Sequence, residues 1–174
     1  MLNYVVSLRN LYQFTMKSLI LIRCPLMRRK KYLGLFKSNH KSLGKMSLTN
    51  VESAFTENST YIHTSSFSKA QKTAEFLCDT YSIDNEQMLD INPNFQDLDT
   101  EECIQLVKKT SQSIDTVVLI APGVTVSRLY CVLTGQRKDF STGSAELVEF
   151  ALNDWSLLNT DLLDKEPMDA YNRA

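Results

Sequence analysis

The first 51 residues contain neither aspartate nor glutamate, although the 174-residue chain has twenty acidic residues. Glycine occurs five times, histidine twice and tryptophan once. No apolar stretch approaches the ~18 residues that a membrane-spanning helix needs, and no two cysteines stand in a C-x-x-C pair. Each shortage excludes something. So little glycine, without a repeat, rules out a collagenous chain. The widely separated Cys24, Cys78, Cys103 and Cys131 argue against a zinc site or a disulfide scaffold, and they suit a reducing, cytoplasmic setting. No metal or cofactor is called for, and no membrane contact.

What is present is an ordinary globular composition: 43% hydrophobic, 22% charged, net charge −1. At this length a single domain buries a core without covalent staples. The near-neutral total hides a split. Ten of the nineteen basic residues precede Glu52, leaving nine to face all twenty acidic ones. Either a basic surface meets an anion, or the two parts neutralise each other across the fold. The second reading needs no partner and is the simpler one at this point. Residues 1–15 are too interrupted for a signal peptide. The chain divides into an extension or start-site artefact over 1–15, a domain over 16–160 and an acidic tail over 161–174.

Periodicity supplies the elements. Ser18 to Ile22 reads as a buried strand, followed by an irregular basic stretch from Arg23 to Lys45. Ser47 or Thr49 is expected to cap a short helix reaching about Thr56. Tyr61 to Thr64 predicts a second strand, and Ser66 a cap for a helix over Ser68 to Tyr81, with Ala70, Ala74, Leu77 and Tyr81 at helical spacing. Gln87 to Ile91 predicts a weak strand. Asp99 or Thr100 caps the next helix, whose inward face is Cys103, Ile104, Leu106 and Val107. Asp115 to Ala121 is the strongest strand. Pro122-Gly123 breaks it before a helix over Val124 to Leu133, ending at Thr134-Gly135. Gly143 to Leu152 is the last strand. Strands alternating with helices imply a three-layer α/β/α sandwich with a mainly parallel central sheet.

Sites in such sheets form at the carboxyl ends of strands. Three ends stand out: Arg23-Cys24-Pro25, the Thr64 to Thr73 loop and helix, and Ala121-Pro122-Gly123. The segments LILIRCP (19–25), HTSSFSKAQKTAEFL (63–77), VVLIAPGVTVSRLYCVLTG (117–135) and FSTGSAELVEFALNDWSLL (140–158), in that order and spacing, resemble the histidine phosphatase superfamily and its SixA-type phosphohistidine phosphatases. The resemblance covers residues 17 to about 158 and implies a histidine-phosphatase-like fold.

The departures from that pattern fall on the chemistry. The family's nucleophilic histidine matches Cys24, its second histidine Pro122, and its second pocket arginine Lys69; Arg23 is kept. In the family, one histidine attacks phosphorus while the other histidine and the arginines hold the equatorial oxygens. Proline donates no hydrogen bond, and lysine keeps the charge but loses the bidentate fork. His63 reads as a strand-packing residue and His40 as a solvated one. Cys24, beside Arg23 and near Lys69, is expected to have a lowered pKa, which would permit nucleophilic attack, although the simpler reading is a cysteine that merely fills the space left by the histidine. The Cys-x5-Arg pattern of cysteine phosphatases is not met, because Lys30 stands six residues on, and the loop has no glycine.

Arg28, Arg29, Lys30 and Lys31, with Tyr32 and Phe36 nearby, form a basic cluster of the kind that contacts phosphate backbones. No helix-turn-helix, RRM or KH pattern accompanies it, so nucleic acid is not the expected partner. The resemblance places this run on the rim of a phosphate pocket formed by Arg23, Lys69, Arg28 and Arg29. Three functions follow as expectations. The first is a pseudophosphatase binding a phosphorylated protein, of histidine phosphotransfer type, or a phosphate ester. The second is a phosphatase of altered chemistry using Cys24. The third is a scaffold that keeps only the fold.

Overall fold

The computed structural model describes residues 15–24, 48 and 50–158. Expectations for Arg28, Arg29, the rest of the basic run, His40, the 47 and 49 caps and the acidic tail concern residues outside these. Five strands form one sheet: β1 (Met16–Arg23), β2 (Thr60–Ser65), β3 (Leu89–Asn92), β4 (Thr116–Ala121) and β5 (Ala145–Ala151). Their spatial order is β3-β2-β4-β1-β5. All neighbours are parallel except β1 and β5, so the mainly parallel sheet expected from the alternating pattern is what forms. Among the described residues, no helix is long and apolar enough to cross a membrane.

The sheet is apolar on both faces because helices cover both. The first helix, α1 (Ser68–Tyr81), lays Ala70, Ala74, Leu77 and Cys78 on the face formed by Ile20, Ile22, Ile62, Val118 and Ile120. A four-residue turn of helix, α2 (Asn85–Met88), leads into β3. On the other face, α3 (Thr100–Lys108) and α4 (Gly123–Thr134) cover Leu19, Leu21, Val117 and Leu119. Alternate residues of β1 and β4 thus enter opposite cores, as the two-residue period of a strand requires. Two consecutive residues at a strand end therefore serve different layers, which matters for Arg23 and Cys24.

Several boundaries differ from expectation, each for a local reason. Phe67, not Ser66, precedes the first turn of α1, and no side chain caps it. Only a 3-10 turn, Glu52–Ala54, forms where a helix reaching Thr56 was expected. The weak strand shifts to Leu89–Asn92 because Asp84 accepts the amide of Glu86 at 2.9 Å and starts a helical turn first. Asp99 does cap α3, in a reciprocal box with Glu102. The αL residue Gly135 (φ 70°) ends α4, where only glycine is unstrained.

Two buried polar anchors, Lys17 on β1 and Trp155 after β5, meet at the turn that precedes β4. Lys17, 1% exposed, donates from Nζ to the carbonyls of Gln112 (2.6 Å) and Ile114 (2.8 Å) and to Asp115 Oδ1 (3.0 Å). All three ammonium protons are used, which is how the charge is tolerated inside. Trp155 is fully buried and its indole N–H reaches the same Ile114 carbonyl at 2.8 Å.

Candidate functional site at the strand ends

The carboxyl ends of β1 and β4 lie side by side, with Arg23 paired to Ala121. The chain here is gripped from both sides. The Cys24 amide donates to the Ala121 carbonyl (2.8 Å), the Arg23 amide to Ser144 (3.1 Å), and the Gly143 amide to the Arg23 carbonyl (3.1 Å). Arg23, Cys24 and Pro122 are therefore brought together by backbone pairing alone. Such over-determined placement is what a preorganised site needs.

Arg23 projects toward α4. One of its terminal N–H groups, on Nη1, donates to the Phe140 carbonyl. Its guanidinium lies so close to Gly123 that a Cβ there would stand 2.7 Å from Nε and 3.0 Å from Cζ. Glycine at this position is thus required by close approach and not by backbone angle. Nε is buried and has no hydrogen-bond partner among the described residues. Pro122 is the N-cap residue of α4 and offers no side-chain cap, and no acidic residue sits in that first turn. The amino ends of α1 and α4 both leave their leading N–H groups without a side-chain acceptor. A helix end of this kind attracts anions.

Cys24 projects to the other face, into the core layer under α1. Burial pushes its thiol up to about 11, a shift the nearby Lys69 ammonium only partly offsets. The lowered pKa expected from neighbouring cations is thus overturned: desolvation outweighs attraction, and the group is a neutral thiol near pH 7. Lys69, on the first turn of α1, is half-buried, and its carbonyl accepts the Thr73 hydroxyl at 2.8 Å. Thr64 near the end of β2 is fully buried with a hydroxyl that has no partner among the described residues. His63 is buried on β2, and its Nδ1 lies 3.0 Å from Asp90 Oδ2. It takes no part in the strand-end cluster.

Sequence reasoning marked the segments that hold Thr64 and Gly123 without giving either residue a role, and it missed Phe140. Gly123 carried a signal, as a glycine opening a helix immediately after a strand. Phe140 contributes a backbone carbonyl, which no side-chain pattern announces. The strand ends thus carry an arginine held against the start of α4 and, on the α1 side, a buried thiol that feels the Lys69 ammonium. These groups do not form an acid–base pair. Among the described residues, no cluster of histidine, cysteine, aspartate or glutamate fits a metal ion.

No protein-family model and no curated protein matches the sequence. Solved structures do. The fold is similar to that of a putative phosphohistidine phosphatase SixA from Nakamurella multipartitia, with a TM-score of 0.60 at 9% identity, covering 82% of this chain and 89% of that one. A phosphoglycerate mutase from Plasmodium falciparum matches with a TM-score of 0.45 at 10% identity, covering 77% of this chain and 98% of that one. The first match establishes a histidine-phosphatase-like α/β fold.

Proposed function

We propose that this chain is a catalytically inactive relative of the SixA-type phosphatases that binds a phosphorylated protein, of histidine phosphotransfer type, or a phosphate ester. The observation that carries the reading is the Arg23 guanidinium, held against Gly123 at the uncapped start of α4 with a buried Nε that no described residue satisfies. A buried donor without an acceptor is costly. An anion oxygen at this helix end satisfies it, with Lys69 contributing charge from the side of α1.

Inactivity is supported by what surrounds that cradle. Covalent phosphoryl transfer needs a nucleophile with an available lone pair and a donor for the leaving oxygen. Cys24 is a protonated thiol facing a core layer, and Pro122 has no hydrogen to give. The reading that makes Cys24 a working nucleophile requires a thiolate that burial opposes.

Thermal unfolding with inorganic phosphate or a phosphohistidine-bearing peptide tests the proposal. A ligand at a hundred times its Kd stabilises by about 2.7 kcal/mol. The expected result is a saturable rise in Tm that Arg23→Gln removes, with no phosphohistidine hydrolysis above background. A turnover rate within tenfold of an active SixA-type enzyme overturns the inactive half. No shift with either ligand at low salt replaces binding by a scaffold role.

A further inference from the structure

A second cleft, of about 460 Å³, opens on the α3 face of the sheet, around the turn that leads from α3 into β4. It lies away from the Arg23 cradle, because its residues precede β4 and flank the first part of β2. His63 forms part of its lining, together with Tyr61, Met88, Leu106, Ser111 and Ile114. The volume suits a small organic molecule.

The chemistry of the lining narrows what fits. The His63 side chain is 7% exposed, with Nδ1 held 3.0 Å from the Asp90 carboxylate. A carboxylate only accepts, so Nδ1 carries the hydrogen and Nε2 is the ring nitrogen left to accept. That tautomer is assigned from the hydrogen bond. Nε2 is buried without a partner among the described residues. The Tyr61 ring stands 4.9 Å from the imidazole at a 57° tilt, so two adjacent aromatic side chains wall the cleft. Ile114 is buried and Met88 and Leu106 are half-buried, giving apolar contact, while Ser111 is exposed at the mouth. Lys109 lines the exposed rim. An acidic ligand here would face both the Asp90 carboxylate and the carbonyl end of α3, which favours an uncharged one.

We propose that this cleft binds a small uncharged aromatic or heteroaromatic ring that donates an O–H or N–H hydrogen bond to Nε2 of His63. The ring packs on Tyr61, Met88, Leu106 and Ile114, and the donor meets the lone pair that no described residue satisfies. Ring–ring contact and a single directional hydrogen bond are the usual division between affinity and orientation in such sites.

Amide NMR titration of the full chain with resorcinol, and with its dimethyl ether as the donor-less counterpart, tests this. Resorcinol is expected to give saturable shifts at Met88, Ser111 and Ile114 and to move the His63 imidazole nitrogen resonance. The ether is expected to bind about tenfold more weakly, or about 1.4 kcal/mol. His63→Phe keeps a ring but removes the acceptor, and should abolish the difference between the two compounds. Should that variant misfold, Leu106→Trp fills the cleft, leaves the His63–Asp90 pair in place and should abolish binding of both. Equal affinity for the two compounds overturns the proposal. So does the absence of saturable shifts by about 10 mM, or shifts confined to the Arg23 cradle.

Discussion

Arg23 and Cys24 are consecutive residues with opposite surroundings, and that opposition decides their chemistry. Arg23 turns toward a helix start and keeps its charge. Cys24 turns into a core and keeps its proton. Replacing Arg23 by lysine retains the charge but not the planar fork that reaches Phe140 and lies against Gly123. Phosphate affinity measured by calorimetry should therefore fall at least about tenfold in Arg23→Lys. The thiols predict a pH effect. Burial raises Cys24 from 9.0 to about 11 and Cys103 to about 12. The unfolded chain ionises these groups first, so stability present below about pH 9 is lost progressively as pH rises toward the folded values. Urea unfolding between pH 8 and 11 should show that decline, and Cys24→Ala with Cys103→Ala should flatten it. A slope unchanged by the double substitution would assign the alkaline loss to other groups.

At the scale of elements, α4 and α3 begin in different ways, and their predictions differ accordingly. Gly123→Ala adds a methyl group 2.7 Å from Nε of a guanidinium that is tethered to Phe140 and cannot simply swing aside. Overpacking of this kind costs about 1–3 kcal/mol, and phosphate binding should be lost with it. Asp99→Ala removes one half of the capping box that starts α3, so it should cost about 1 kcal/mol and leave binding intact. Denaturation midpoints with and without phosphate separate the two.

The sequence made such elements legible where periodicity was strong. β1, β2, β4, α1 and α4 all lie within a residue or two of expectation. It placed α1 over Ser68 to Tyr81 as found and erred only in the cap, because Ser66 offers a hydroxyl in the right neighbourhood whereas Phe67 is the residue that precedes the first turn. The strand ends carrying Arg23, Cys24 and Pro122 were legible because the ordered motifs placed them there. The state of Cys24 was not, since desolvation depends on which layer covers a residue, and one position along a strand reverses it. Nor was the closeness of Arg23 to Gly123, a contact between residues a hundred positions apart.

For the whole molecule, the charge split of the sequence is only partly visible in the described residues, but one basic residue from the first segment is fully internal. Lys17 satisfies two carbonyls and a carboxylate at the foot of β4. Lys17→Met keeps the volume but removes the donor to Gln112 and Asp115, while Ile114 keeps the Trp155 N–H, so stability should fall by about 1 kcal/mol, read as a lower urea midpoint with an unchanged m-value. Phosphate-induced stabilisation should weaken as salt is added, because part of the attraction comes from charges in contact with solvent. Stabilisation that is insensitive to salt would point to a ligand held by neutral contacts.

The position of β1 in the sheet has a consequence during synthesis. Among the described strands it is the first made, yet its neighbours β4 and β5 are the last, with Ser18 opposite Thr116 and Met16 opposite Ala151. Until the ribosome has released residue 121, β1 has no partner strand, and until residue 151 it has one bare edge. Unpaired apolar edges invite association with other chains. The strand ends that carry Arg23 and Pro122 are thus paired late, and a message truncated before residue 145 should yield a product that aggregates, even though α1, α3 and β2 are already encoded.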